Sequence, residues 1–197
     1  MKGQGGIDMD AYVMLAPGFE EIEALTVVDV CRRAGLGVTM VAVEADAGHG
    51  ERQGVPVEGS HGIRVLSDRV LDAVAPEPGD WIVLPGGMPG TRGLQRSGRL
   101  ADLLRRHRAA DGRLAAICAA PSVPGRLGLL RGKRATCYPG FEDQLEGATP
   151  VADPVVQDGN ILTSRGPGTA MPFALAIVRI SCGDAAADRL ARDLLVV

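Results

Sequence analysis

Short apolar runs alternate with longer amphipathic stretches along most of this chain. The apolar runs are four to six residues long and are bounded by glycine, proline or polar residues, which is typical of buried strands in a parallel sheet. The pattern predicts strands at 11–16, 38–43, 81–84, 114–117, 135–138 and 161–164, and a further strand at 155–156 that pairs with the last of these around Asp158-Gly159.

The stretches between strands carry apolar residues at the three- and four-residue spacing of helices. Ile22, Leu25 and Val28 recur at this spacing before Gly35 ends the pattern. The chain therefore predicts helices at 20–34, from about 91 to 110, directly after Cys118 as far as Pro124-Gly125, at 172–182 and at 185–195, and a hairpin-like excursion at 55–67.

Strands that alternate with helices predict an α/β fold with a mostly parallel central sheet and helices on both faces. The chain has 197 residues, of which 46% are hydrophobic, so it can bury a full core and still be one domain. Residues 1–10 are polar and rich in glycine. We therefore predict a flexible tail at 1–10 and a single domain at 11–197.

Composition and charge argue against nucleic acid as a binding partner. Aromatic residues make up 3% of the chain and the net charge is -3, so neither stacking platforms nor a basic surface favours nucleic-acid binding. The arginine-rich run at 99–108 falls on a predicted helix with Leu100, Leu103 and Leu104 facing inward. A solvated helix face is the simpler interpretation of that run.

The four cysteines show neither a CxxC pair nor the spacing of metal ligands, which favours a reducing compartment and no metal site. The first ten residues lack the apolar core of a signal peptide, and no apolar span of 18 residues follows. We expect a cytoplasmic protein without membrane contact. The cysteines are Cys31, Cys118, Cys137 and Cys182.

Cys118 is the main candidate for chemistry because it directly follows the predicted strand 114–117 and precedes a predicted helix. A nucleophile on such a turn is exposed at the carboxyl end of the sheet, where open α/β sheets bind ligands. Backbone N–H groups at the start of a helix would favour its thiolate. The alternative is a small buried hydrophobic side chain.

Two further loops should meet Cys118 at this edge of the sheet. The first opens a helix with Glu20 and Glu23 on one face, although acidic residues there also simply complement the helix dipole. The second contains Gly86 and Gly87, whose N–H groups could form an oxyanion site with Ala119, unless they are a plain turn. It has neither G-x-G-x-x-G nor a Walker lysine, so no nucleotide or other cofactor is expected.

Four motifs in order along the chain resemble the ThiJ/PfpI superfamily, in the branch of the Parkinson-disease-associated protein deglycase and its bacterial relatives. The resemblance implies a flavodoxin-like three-layer sandwich of the class I glutamine amidotransferase type, usually a homodimer. It also implies that Cys118 is a reactive cysteine on a nucleophile elbow, that Glu23 hydrogen-bonds its sulfur, and that Gly86, Gly87 and Ala119 supply backbone donors. The motifs are residues 16–23, 84–87, 115–121 and 162–169.

The family is associated with the conversion of methylglyoxal to lactate without glutathione and with removal of early glycation adducts. The resemblance therefore implies a glyoxalase III or deglycase type of lyase or hydrolase that acts on small carbonyls, with Cys118 as nucleophile and Glu23 as proton shuttle. An ionised Glu23 would oppose a thiolate, so the two groups should share one proton, which we expect on Glu23 as donor to the Cys118 thiolate. The alternative is a redox sensor or chaperone-like stress protein that responds to oxidation of Cys118.

Two positions depart from the family pattern. Tyr138 stands where relatives often have a histidine beside the cysteine, and His61 stands where they often have an arginine. Because no histidine follows Cys118, glutaminase chemistry is not expected, and Ala119 replaces the histidine of the protease branch, which disfavours a cysteine peptidase. The expected pocket residues are Glu20, His61, Tyr138 and Pro167.

Overall fold

A seven-stranded central sheet organises the molecule, in a computed structural model that describes residues 9–43 and 54–196. Two small two-stranded sheets lie outside it. The strands are β1 (Asp10–Leu15), β2 (Gly37–Ala42), β3 (Pro56–Glu58), β4 (Arg64–Leu66), β5 (Arg69–Val70), β6 (Trp81–Leu84), β7 (Arg113–Ile117), β8 (Arg134–Ala135), β9 (Thr149–Pro150), β10 (Val155–Asp158) and β11 (Ile161–Ser164). The α-helices are α1 (Glu21–Arg33), α2 (Gly90–Arg96), α3 (Gly98–Ala109), α4 (Ser122–Arg126), α5 (Ala170–Cys182) and α6 (Asp184–Asp193).

The central sheet has the strand order β10-β11-β7-β6-β1-β2-β5. All neighbours are parallel except β10 and β11, which form an antiparallel hairpin. Since β1, β6 and β7 are adjacent and parallel, the loops that follow them open at the same edge of the sheet. These are the three loops in which the sequence places candidate chemistry.

Apolar side chains fill both faces of the sheet, because the side chains of each strand alternate between them. In β1, Val13 and Leu15 belong to the cluster that packs under α1, α5 and α6, whereas Met14 belongs to the cluster under α2, α3 and α4. Both clusters are built mainly from aliphatic residues. The chain is therefore a three-layer α/β structure, as the sequence predicts.

Most predicted elements are confirmed to within a few residues, including α1, β6, α5, α6 and the hairpin of β3 and β4. The predicted helix at 91–110 is instead two helices, α2 and α3. Ser97 separates them with an extended backbone, and its hydroxyl accepts a hydrogen bond from Leu100 N–H, which caps α3.

Three other predictions need correction. The predicted strand at 135–138 is only the two residues of β8, which pair with β9 outside the central sheet. The helix after Cys118 does not stop before Pro124-Gly125, because the short α4 includes both residues. Asp10, which the sequence assigned to the tail, begins β1, and residues 1–8 of that tail lie outside the described residues.

None of the helices in the described ranges is long and apolar enough to cross a membrane.

Candidate active site

Cys118 sits on a sharp turn directly after β7, as the apolar run before it predicts. Its φ of 65° places a non-glycine residue in the left-handed region, which costs conformational energy. Two backbone hydrogen bonds hold it there: its N–H donates to Ser164 O at 3.0 Å, and its carbonyl accepts from Tyr138 N–H at 2.8 Å. The side chain is half-buried, so the thiol is fixed yet still accessible.

Backbone donors reach the thiol from two loops. The N–H groups of Gly87 and Ala119 hydrogen-bond to the sulfur of Cys118 and lower its pKa. The expected contribution from a helix start is wrong, because α4 begins only at Ser122 and its first N–H donates to Ala119 O. Two N–H groups, rather than a helix terminus, therefore form the polar environment of the sulfur.

Glu23 lies in the first turns of α1 with a side chain that is fully buried. Its Oε2 accepts a hydrogen bond from Gly86 N–H at 2.7 Å, so Gly86 positions the carboxyl group and is not one of the donors to sulfur that the sequence predicts. Its Oε1 is buried and accepts no hydrogen bond from an N–H or O–H group of the described residues. Burial is the main cause that raises the pKa of Glu23 from 4.5 to about 7.

The Glu23 carboxyl and the Cys118 thiol interact directly. The charge of Glu23 opposes ionisation of the thiol, whereas the hydrogen bond from the thiol lowers the pKa of Glu23 and so favours the carboxylate. Burial first, and then the charge and hydrogen bond of Glu23, raise the pKa of Cys118 to about 12 despite the two N–H donors. Above pH 7 the pair therefore holds a single proton, as the sequence predicts for coupled groups. That proton resides mainly on sulfur, with Glu23 ionised, which reverses the protonation state expected from the sequence.

Gly86 is required where it is because a larger residue would enter the space between these two groups. A Cβ atom at this position would lie 2.6 Å from Cys118 Cβ, 2.8 Å from Glu23 Oε2 and 3.1 Å from Cys118 Sγ. The φ of Gly86 is outside the left-handed region, so the restriction comes from packing and not from the backbone. The lack of a side chain at Gly86 therefore leaves room for the carboxyl group of Glu23 and the side chain of Cys118 on this side of the loop.

We expect Gly86→Ala to lower any Cys118-dependent activity about 100-fold, because a shift of about 1 Å in the reacting groups has an effect of that size. Gly98→Ala is the matched control, since Gly98 is exposed and a Cβ there meets no atom within 4 Å. The rate of Cys118 alkylation by iodoacetamide, measured beside circular dichroism of both variants, checks this. Equal alkylation rates in both variants would contradict it.

Glu20, Glu21, Ser60 and His61 form a second polar group beside the Gly86-Gly87 loop. Glu20 N–H donates to Gly86 O at 2.9 Å, which joins the group to the loop, and the charge of Glu20 helps to raise the pKa of Glu23. The hydroxyl of Ser60 lies 3.2 Å from Glu20 Oε2 and 3.1 Å from Glu21 Oε2. The Nδ1 of His61 lies 2.9 Å from Glu21 Oε2.

The contact between His61 and Glu21 shifts the pKa of both side chains. The imidazole is mostly exposed and pairs with Glu21, which raises the pKa of His61. Hydrogen bonds from His61 and Ser60 lower the pKa of Glu21 to about 2, although burial of Glu21 acts in the opposite direction. Ligand atoms of Glu20, Glu21 and His61 lie within 4.8 Å of one another, and these internal bonds account for their geometry without a metal ion.

Tyr138 N–H bonds to the Cys118 carbonyl, and Pro167 follows β11, the strand that pairs with β7; their place in a substrate pocket stays a prediction. Tyr138 is about half-exposed, its ring meets Phe141 edge to face, and a Cβ at Gly166 would lie 3.3 Å from it. Pro167 begins the turn after β11 and is half-buried. Tyr138 therefore contacts the cysteine through its backbone, while its ring packs against Phe141.

Neither described histidine forms a dyad with Cys118. His61 pairs with Glu21, and the imidazole of buried His107 bonds to Arg113 O at 3.0 Å. His49 lies outside the described residues. Within the described part of the chain, Glu23 is the titratable side chain that interacts with the cysteine.

The burial of Glu21 is the feature of the site that the sequence does not reveal. An acidic residue in the first turn of a helix is normally solvated, and its sequence signal is the same when it is buried. Glu21 is 4% exposed because the tip of the β3–β4 hairpin covers it. The pair Ser60-His61 offers a weak signal for a polar contact of this kind, since both are polar residues at the tip of a predicted hairpin.

Comparison with known proteins finds relatives of one family over almost the whole chain. The DJ-1/PfpI family model matches residues 9–180. Protein dj-1beta of Drosophila melanogaster is 41% identical over 188 residues, which cover 94% of this chain and 96% of that protein. The glutathione-independent glyoxalase DJR-1.2 of Caenorhabditis elegans is 33% identical over 187 residues, which cover 93% of this chain and 95% of that protein.

Solved structures confirm the fold class. The crystal structure of Drosophila melanogaster DJ-1beta matches with a TM-score of 0.86 at 40% identity, over 96% of this chain and 98% of that chain. A structure of oxidized Toxoplasma gondii DJ-1 matches with a TM-score of 0.84 at 35% identity, over 94% of this chain and 97% of that chain. The chain therefore belongs to the DJ-1/PfpI family.

Proposed function

We propose that this protein converts small 2-oxoaldehydes such as methylglyoxal to 2-hydroxy acids without glutathione, with Cys118 as nucleophile and Glu23 as proton carrier. The observation that carries the proposal is the buried Glu23 carboxyl, whose pKa of about 7 lets it both accept and release a proton at neutral pH, directly beside the Cys118 thiol. A relative named as a glutathione-independent glyoxalase supports this class of reaction.

The first step is addition of sulfur to the aldehyde carbon. Ionised Glu23 removes the proton of the Cys118 thiol as the sulfur attacks, so a free thiolate does not have to accumulate despite its high pKa. The carbonyl oxygen gains negative charge, and the N–H groups of Gly87 and Ala119 lie next to the sulfur where that charge develops. Glu23 passes the thiol proton to this oxygen, which gives a hemithioacetal and leaves Glu23 ionised for the next step.

The second step moves hydrogen between neighbouring carbons. Glu23 takes the proton from the carbon bound to sulfur, electrons shift to the ketone oxygen, and that oxygen takes the hydroxyl proton of the first carbon to give an enediolate. Return of a proton to the second carbon turns the first carbon into a thioester carbonyl. No external oxidant is needed, because one carbon is oxidised as the other is reduced.

The third step is hydrolysis. Water attacks the thioester, the Cys118 sulfur leaves and regains a proton, and the 2-hydroxy acid departs. Methylglyoxal plus one water gives lactate, so atoms and electrons balance. Removal of glycation adducts, which the family resemblance implies, begins with the same attack of sulfur on a carbonyl carbon.

Lactate formation from methylglyoxal in the absence of glutathione tests this function. Wild-type protein should form lactate continuously under reducing conditions, and Cys118→Ala protein purified in parallel sets the background. In D₂O, deuterium should appear at carbon 2 of lactate whenever the proton on Glu23 exchanges with solvent before its return. Wild-type protein that forms no more lactate than the Cys118→Ala protein would disprove the proposal.

A second candidate is a sensor in which Cys118 is oxidised to a sulfinate. Its support is the pair of N–H donors from Gly87 and Ala119, which can bind sulfinate oxygens, and the related Toxoplasma gondii DJ-1 described as oxidized. Wild-type protein that forms no lactate but gains two oxygen atoms at Cys118 in peroxide would favour the sensor. The homodimer and the cytoplasmic location stay predictions.

A further inference from the structure

Cys31 and Cys182 take no part in the proposed chemistry of Cys118, yet they occupy matching places on two packed helices. Cys31 lies in the last turn of α1, and Cys182 is the final residue of α5. The two helices pack against each other on one face of the central sheet. Neither cysteine is in a disulfide in this structure.

The ends of these helices lie at the same edge of the sheet. Helix α1 connects the parallel strands β1 and β2, so its C-terminal end returns to the start of β2, where Arg32 bonds to Val38 O at 3.0 Å. Ser181, at the end of α5, accepts a hydrogen bond at 3.0 Å from Trp81 Nε1 at the start of β6. Both C-terminal ends are therefore at the edge opposite the active site.

Each cysteine also continues the buried stripe of its own helix. In α1 the buried stripe includes Ala24, Val27, Val28 and Cys31. In α5, buried residues recur every four positions at 170, 174 and 178, and the next position is Cys182. The two stripes belong to one apolar cluster. Cys31 is a fully buried member of this cluster, and Cys182 is a partly buried residue that packs against the cluster.

The usual separation of packed helices and the pKa of Cys31 both agree with a close approach of Cys31 and Cys182. Packed helices have axes about 8–10 Å apart, which brings facing positions within the Cα separation of roughly 4.4–6.8 Å that a disulfide spans. Burial, and next the neighbouring thiol of Cys182, raise the pKa of Cys31 to about 12. The thiol of Cys182 thus lies close enough to Cys31 to oppose its ionisation.

We propose that Cys31 and Cys182 form a reversible disulfide when hydrogen peroxide oxidises the protein, and that this bond joins the C-terminal ends of α1 and α5. Cys182 is the more accessible thiol and reacts first. Its sulfur attacks one peroxide oxygen and becomes a sulfenic acid as one water leaves. The sulfur of Cys31 then displaces the hydroxyl group, which leaves with the Cys31 proton as a second water. Two electrons pass from the thiols to the peroxide.

Peptide mapping of peroxide-treated full-length protein tests this. Trypsin should release residues 3–32 and 180–189 as one linked species, lighter than the separate peptides by two hydrogen atoms and cleaved by dithiothreitol. The oxidised protein should melt about 5 °C or more above the reduced protein, because the bond restricts a long loop of the unfolded chain. The reduced protein gives the baseline.

Two variants make the result specific. Cys182→Ser should lose both the linked peptide and the rise in Tm, whereas Cys118→Ala should keep both, which makes the outcome independent of the proposed catalysis. The proposal is overturned if Cys31 and Cys182 remain fully alkylatable after peroxide has oxidised Cys118, or if either is found linked to Cys118 or Cys137 instead of to the other.

Discussion

Replacement of Glu23 by glutamine should lower kcat/KM for methylglyoxal about 1,000-fold at neutral pH. Glutamine keeps the shape of the side chain, and its amide oxygen can still accept the hydrogen bond from Gly86 N–H. It cannot remove the proton from Cys118 or carry a proton between substrate carbons, and a positioned acid–base group contributes about 10²–10⁴-fold to such steps. Steady-state lactate formation measures the loss.

The pH profile of the wild-type enzyme should report the same group. Ionised Glu23 is the active form, so kcat/KM should rise about tenfold per pH unit below the Glu23 pKa of about 7 and then level off. The residual activity of Glu23→Gln should lack this rise. Glu58→Gln, at an exposed carboxylate paired with Arg64, is the matched control and should retain both the rate and the profile.

The double variant Glu23→Gln/Cys118→Ala tests whether Glu23 and Cys118 act together or independently. If the carboxyl acts through the sulfur, the double variant should be no slower than Cys118→Ala alone, because groups that act as a unit do not have additive effects. A rate in Cys118→Ala that exceeds the protein-free reaction and falls further in the double variant would show that Glu23 acts without Cys118, and the proposed mechanism would be wrong.

The parts of the site that the sequence predicts are those encoded locally. The apolar run 114–117 predicts a strand, and the residue that follows it is placed at the active edge by topology alone. Glu23 follows from the helical spacing of α1 and from the family resemblance. These positions depend on short-range patterns, so they can be read from the chain without knowledge of distant contacts.

The parts that the sequence does not predict depend on contacts between distant segments. The direction of Gly86 N–H toward Glu23 is set by a hydrogen bond between residues 63 positions apart. The burial of Glu21 results from a hairpin tip about 40 positions away. Composition and periodicity contain no information on either contact, although each contributes to a pKa in the site.

Two predictions are wrong for a different reason. In each case a local sequence pattern favours one interpretation, and a second feature of the same segment determines the structure. Ser97-Gly98 is a recognisable helix start, but the apolar spacing of the flanking residues suggested one continuous helix. The start of a helix after Cys118 suggested a low thiol pKa, but the turn of residues 119–121 separates the sulfur from α4. Burial and Glu23 then determine the direction of the shift.

Burial of Glu23 benefits the proposed chemistry at the expense of stability. The folded protein holds its carboxyl group in an environment that disfavours the charged form, whereas the unfolded chain hydrates it freely. Since the pKa is about 7 when folded and 4.5 otherwise, the folded state binds the proton more tightly. The stability that Glu23 contributes is therefore fully present below pH 4.5 and is lost as the pH rises to about 7.

Glu23→Gln should for this reason be more stable than the wild type at pH 8, even though it is nearly inactive. Removal of the ionisable group eliminates a loss of about 3 kcal/mol in the free energy of unfolding between pH 4.5 and pH 7, equivalent to roughly 6 °C in Tm or more. Urea unfolding of both proteins at several pH values should show a stability difference that widens in favour of the variant across this interval and is constant above it. Glu21 and His61 titrate in both proteins, so their contributions cancel in the difference. Parallel stability curves would mean that Glu23 titrates normally, and the proton transfers assigned to it at neutral pH would lose their physical basis.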